Sequence, residues 1–117
     1  MHALIIEDEF LVALSIEDSL EGLGFTSRET VATEETAVAA ACLHTPDLIT
    51  ADVRLAKGNG IAAVRSILRK QRVPVVFITG NAEIVREEMP GAVVLQKPYG
   101  DAALRAAIAA ARKNIAA

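Results

Sequence analysis

The chain has 117 residues, of which 52% are hydrophobic and 3% aromatic, with a formal net charge of -3 and one cysteine, Cys42. That length predicts a single domain over residues 1–117, with room for a filled core and none for a second module. The acidic balance and scarce aromatics exclude the basic, stacking surface of a nucleic-acid binder. No apolar run approaches the ~20 residues of a membrane span, and one cysteine permits no internal disulfide.

Met1-His2-Ala3 shows no basic region followed by an apolar one, so the expectation is a cytoplasmic protein without an export signal, and Cys42 is expected to be a small core residue. The first strand signal, Ala3-Leu4-Ile5-Ile6, ends on Glu7-Asp8-Glu9. Val12, Ile16, Leu20 and Leu23 then recur at helical spacing until Gly22 and Gly24 end the segment. Residues 25–31 form a polar-interrupted strand, as expected at a sheet edge. Thr33 is placed to cap a second helix, with Glu34 and Glu35 at its positive end; His44-Thr45-Pro46 stops it, and His44 suits the negative end of the dipole.

Leu48-Ile49-Thr50-Ala51 ends on Asp52, and a loop with Gly58, Asn59 and Gly60 leads to a third helix traced by Ile61, Val64, Ile67 and Leu68. After Pro74, Val75-Val76-Phe77-Ile78 ends on Thr79-Gly80. Residues 81–88 predict a short, marginal helix whose apolar surface is chiefly Ile84 and Val85, stopped by Pro90-Gly91. Val93-Val94-Leu95 ends on Gln96-Lys97-Pro98, and Leu104, Ile108 and Ile115 mark one stripe of an Ala-rich helix from about Asp101.

Five strand-helix alternations predict an α/β fold with a doubly wound parallel sheet and helices on both faces. In such a sheet all C-terminal strand ends lie along one edge, where the ligand crevice forms, so Glu7, Asp8, Asp52, Thr79 and Lys97 should converge. Carboxylates held together repel, which makes the cluster sensible mainly around a cation, and Mg²⁺ suits a few carboxylates plus a phosphate. Asp52 would then attack a phosphoryl group whose oxygens Thr79 and Lys97 bind.

The acidic pair after strand one, Asp52 ending strand three, Thr79 ending strand four and Lys97-Pro98 ending strand five resemble the receiver domain of two-component response regulators, over the whole chain. The resemblance implies a CheY-like five-stranded sheet in the order 2-1-3-4-5, with Asp52 as phosphoacceptor and Thr79 and Lys97 as phosphate contacts. It implies Mg²⁺ held by Glu7 through water, Asp8, Asp52 and the Arg54 backbone carbonyl, and a cis Lys97-Pro98 peptide. The partner it implies is a histidine kinase or histidine phosphotransfer protein, with a downstream signalling protein beyond it and neither nucleic acid nor membrane.

More narrowly, Ala3-Leu4-Ile5-Ile6-Glu7-Asp8-Glu9, Pro46-Asp47-Leu48-Ile49 and Pro74-Val75-Val76-Phe77-Ile78-Thr79-Gly80 resemble receivers of the alphaproteobacterial general stress response, the PhyR-type and FATGUY regulators. Two departures stand out. No sigma-like segment is present, so sequestering an anti-sigma factor by such a domain is not expected of this chain. Val94 stands three residues before Lys97, where most receivers carry a switch aromatic; Tyr99 reads as a packed residue at the start of the last helix.

The competing reading is a Mg²⁺-dependent phosphohydrolase with an aspartyl nucleophile. Such enzymes usually need a second acid two residues after the nucleophile to protonate the leaving group, and Arg54 stands there. The expectation is a signalling module, not an enzyme, whose chemistry is confined to phosphorylation and autodephosphorylation at Asp52.

Overall fold

Strands and helices alternate through residues 1–116, which the computed structural model describes. The order is β1 (His2–Ile6), α1 (Phe10–Gly22), β2 (Ser27–Val31), α2 (Glu34–Leu43), β3 (Leu48–Ala51), α3 (Gly60–Leu68), β4 (Val75–Thr79), α4 (Ala82–Glu88), β5 (Val93–Gln96) and α5 (Asp101–Ala116). The strands form one parallel sheet in the order β2-β1-β3-β4-β5, as expected.

The two-residue period of a strand divides each apolar run between two cores. Ala3 and Ile5 of β1, with Val76 and Ile78 of β4, meet Ile16 and Leu20 of α1 and Leu104 and Ile108 of α5. Leu4, Ile6, Ile49 and Phe77 face the other way, against Ala37, Ala40 and Ala41 of α2 and Ile61, Val64 and Ile67 of α3. Every residue of β1 and β3 is therefore buried, whereas β2, at the sheet edge, has only exposed and half-buried positions.

Local chemistry sets the helix ends. Thr33 and Thr36 form a reciprocal cap: Thr36 N–H donates to Thr33 Oγ1 at 3.1 Å and Thr33 N–H to Thr36 Oγ1 at 3.3 Å. Asn59 Oδ1 accepts from the Ile61 and Ala62 amides at 2.7 and 3.1 Å, which fixes where α3 begins. The helix α4 has seven residues and buries only Ala82 and Val85.

Two expectations are corrected. The second strand starts at Ser27, because Gly24 turns with φ +97 and Phe25 drops into the core, 1% exposed, before pairing begins. Cys42 is exposed. The core side of α2 is taken by Ala37, Ala40 and Ala41, and a residue one step further turns about 100° away from it. A further feature has no sequence signal: the His2 and His44 rings stack with centroids 3.6 Å apart.

Candidate functional site

Register brings the acids together before any side chain is considered. Ile6 pairs with Ala51 and Ala51 with Phe77, so the residues that follow, Glu7 and Asp52, leave adjacent strand ends side by side. The Asp52 amide still donates to Ile6 O at 2.9 Å, and that of Glu7 to Val31 O at 2.9 Å. Thr79 pairs with Gln96, which places Lys97 one residue beyond the sheet on the same edge.

Lys97 Nζ donates to Asp52 Oδ2 at 2.8 Å and to Glu7 Oε1 at 2.9 Å. The other Asp52 oxygen accepts from Val53 N–H at 2.7 Å, and the other Glu7 oxygen from Glu9 N–H at 3.1 Å. Burial disfavours the Lys97 ammonium, but its hydrogen bonds to Asp52 and then Glu7 outweigh this and hold its pKa above the ordinary lysine value. Burial pushes the Glu7 carboxyl up from its ordinary range, against the opposing hydrogen bonds from Lys97 and the Glu9 amide. The one ammonium therefore bridges both acids, and the Glu7 carboxylate is the partner whose charge burial opposes.

Carboxylate oxygens of Glu7, Glu9 and Asp52 lie within 4.8 Å of one another. Glu9 was not singled out by the sequence; it enters because α1 starts only at Phe10, which leaves Glu9 at the mouth of the site. Asp8 is exposed and lines the cleft above Asp52, but it does not join that close set. The oxygen donors fit a hard divalent ion such as Mg²⁺, which keeps several waters and needs only a few carboxylates. Lys97 already neutralises part of the cluster, so the acids do not depend on a metal alone for their compensation.

The cleft, about 300 Å³, is lined by Asp8, Glu9, Asp52, Arg54, Gly80, Asn81 and Lys97. Thr79 is absent from the lining and fully buried at 0% exposure, and its Oγ1 accepts from Asn81 N–H at 3.0 Å. Arg54 is exposed at the rim, its backbone bridged to Asn59. Gly60 is required here: a Cβ would collide with the Asp52 carbonyl oxygen. The Lys97-Pro98 peptide is cis. Val94 is half-buried against the α2/α3 core, and Tyr99 packs against the α1/α5 core.

Residues 3–109 match the family described as the response regulator receiver domain. The chain is 39% identical over 112 residues to the phyllosphere-induced regulator PhyR of Methylorubrum extorquens, an alignment spanning 92% of this chain and 42% of PhyR. The chain thus spans less than half the length of that curated relative. Among solved structures, the receiver domain of the Erythrobacter litoralis PhyR response regulator superposes with a TM-score of 0.86 at 34% identity, covering 96% of this chain and 89% of that one. The receiver domain of the Pseudomonas aeruginosa sensor kinase PA1611, solved with a magnesium ion coordinated in its active-site cleft, superposes with a TM-score of 0.82 at 29% identity, covering 99% and 98%.

Proposed function

The chain belongs to the response regulator receiver domain family, and on that premise we propose that Asp52 accepts a phosphoryl group from a histidine kinase or histidine phosphotransfer protein and that the phosphorylated form signals through protein contacts. The observation that carries this reading is the Lys97 ammonium held 2.8 Å from Asp52 at the floor of an open acidic cleft. Similarity to PhyR supports a place in the general stress response. PhyR of Bartonella quintana is described as an anti-anti-sigma factor, which favours a signalling protein as the downstream partner.

Asp52 is 7% exposed, so its carboxylate is largely stripped of water yet opens to the cleft, as a nucleophile attacking phosphorus requires. Its P–O bond forms as the donor's P–N bond breaks. Lys97 orients the carboxylate in the resting state and afterwards offers its ammonium to the phosphoryl oxygens. Asp8, Asp52 and the Arg54 carbonyl, with Glu7 through water and Glu9 at the mouth, would hold Mg²⁺. When bound, the ion supplies positive charge that offsets the phosphoryl oxygens as they approach the acids. No acid stands two residues beyond Asp52 to protonate a leaving group, which favours self-phosphorylation over turnover of phosphate esters.

Intact-mass analysis after acetyl phosphate treatment tests the assignment. The expected result is one phosphoryl adduct that requires Mg²⁺ and is lost in Asp52→Asn. An adduct that forms without Mg²⁺, or survives that substitution, would overturn it.

A further inference from the structure

Gln96, which directly precedes Lys97, turns its side chain away from the acids and onto the loop between β4 and α4. Its Nε2 donates to Gly80 O at 2.9 Å, and its Oε1 accepts from Ala82 N–H at 3.3 Å. Among the described residues α4 has no other side-chain cap, since Asn81 makes none. A carboxamide is suited to this place because the loop presents one acceptor and one donor; glutamate has no donor and lysine no acceptor.

The clamped residues are those that separate Thr79 from the cleft. Gly80 and Asn81 line the cleft while Thr79 is fully buried behind them. The Thr79 carbonyl is held by Lys97 N–H at 2.9 Å, and its hydroxyl accepts from Asn81 N–H at 3.0 Å. For the Thr79 hydroxyl to reach a group on Asp52, the Gly80-Asn81 wall must move, and the side chain restraining that wall is Gln96.

We propose that the Gln96 carboxamide is a latch that holds the β4-α4 loop in its resting place and so acts as a positioning residue for Thr79, opposing the rearrangement that brings its hydroxyl to the phosphoryl group. The proposal rests on the phosphoacceptor reading of Asp52. It gives the Gln96-Lys97 dipeptide two tasks on opposite sides of one strand end: the lysine compensates the acids and the glutamine restrains the loop that must close over them. Gln96 is exposed, so replacing it removes the clamp without opening a hole in the core.

The test compares wild type with Gln96→Met, which keeps the side-chain length and removes both hydrogen bonds, and Gln96→Glu, which sets a carboxylate against the Gly80 carbonyl. Amide hydrogen exchange at Asn81 and Ala82 is read in the unmodified proteins, and beryllofluoride affinity is read in the presence of Mg²⁺. Gln96→Met should exchange faster at these amides and bind beryllofluoride about fivefold more tightly, the yield of releasing roughly one net hydrogen bond in the resting state only, whereas Gln96→Glu, whose carboxylate still accepts from Ala82 N–H, should show smaller changes in the same direction. A purely structural role would lower the melting temperature and weaken or leave unchanged the affinity, which would overturn the latch. Wild type that binds beryllofluoride, with variants that do not differ from it, refutes the latch alone. Wild type that binds none refutes the phosphoacceptor reading and the latch with it.

Discussion

Lys97 Nζ lies 2.8 Å from Asp52 Oδ2, so one ion pair joins the ends of β3 and β5 across the intervening strand β4. The lysine side chain is 19% exposed and the aspartate side chain 8%, which leaves little water to replace the ammonium if it is removed. Lys97→Met should therefore destabilise the metal-free protein by about 1–3 kcal/mol, less than a fully buried pair because the lysine is partly solvated. Adding Glu7→Gln, which removes an acid whose charge burial disfavours, should recover part of that loss. Urea midpoints for the two single variants and the double variant measure the coupling; strictly additive effects would contradict a shared cluster.

Gly60 approaches the backbone of Asp52 so closely that a methyl group has no place to go. Gly60→Ala should cost about 2–4 kcal/mol and also displace the Asp52 carbonyl, slowing phosphoryl transfer. Denaturant unfolding and the rate of acetyl phosphate labelling check both effects. A variant with wild-type stability would show that the α3 start is free to shift.

His2 is 7% exposed, with Nδ1 2.7 Å from Ser27 Oγ, its ring against His44, and Nε2 buried without a partner among the described residues. Burial and then the neighbouring His44 lower its pKa from 6.5, against the opposing charges of Glu29 and Asp47. A histidine whose folded pKa is depressed binds fewer protons folded than unfolded. Its contribution to stability is complete above 6.5 and is lost as pH falls through that value toward the lower folded one. Urea midpoints should decline from pH 7.5 to pH 5.5, and His2→Phe should flatten that decline; an unchanged slope in the variant would assign it elsewhere.

The helix α4 buries only Ala82 and Val85, and beyond its C-terminal end a cavity of about 370 Å³ opens among Val64, Phe77, Met89 and Ala111. Its amides from residue 82 to 88 should exchange with solvent faster than those of α3, which buries five residues including Ile61, Val64 and Ile67. Beryllofluoride should slow that exchange by ordering the β4-α4 loop. Because Val94 is too small to fill space vacated by Thr79, Val94→Tyr should leave this protection unaltered. Equal exchange in α3 and α4, or no response to beryllofluoride, would refute a signal that leaves through α4.

The apolar runs show why so much was legible along the chain. β1 and β3 are buried on both faces and therefore read as unbroken hydrophobic stretches, β2 at the sheet edge keeps only exposed and half-buried positions and so reads as polar-interrupted, and Thr33 announces its helix through backbone groups only a few residues away. Parallel winding then brings Glu7, Asp8, Asp52, Thr79 and Lys97 to one edge of the sheet, a placement that strand ends alone predict.

What only the tertiary structure decided is which of these groups touch. Lys97 spans Glu7 and Asp52, Glu9 and not Asp8 joins the close carboxylate set, Thr79 stands behind the cleft wall, and Gln96 grips that wall. His2 meets His44 for the same reason. Strand and helix periods are local properties of a few consecutive residues, whereas the partner of a side chain at a strand end depends on loop paths and register set by residues 45 or 90 positions away.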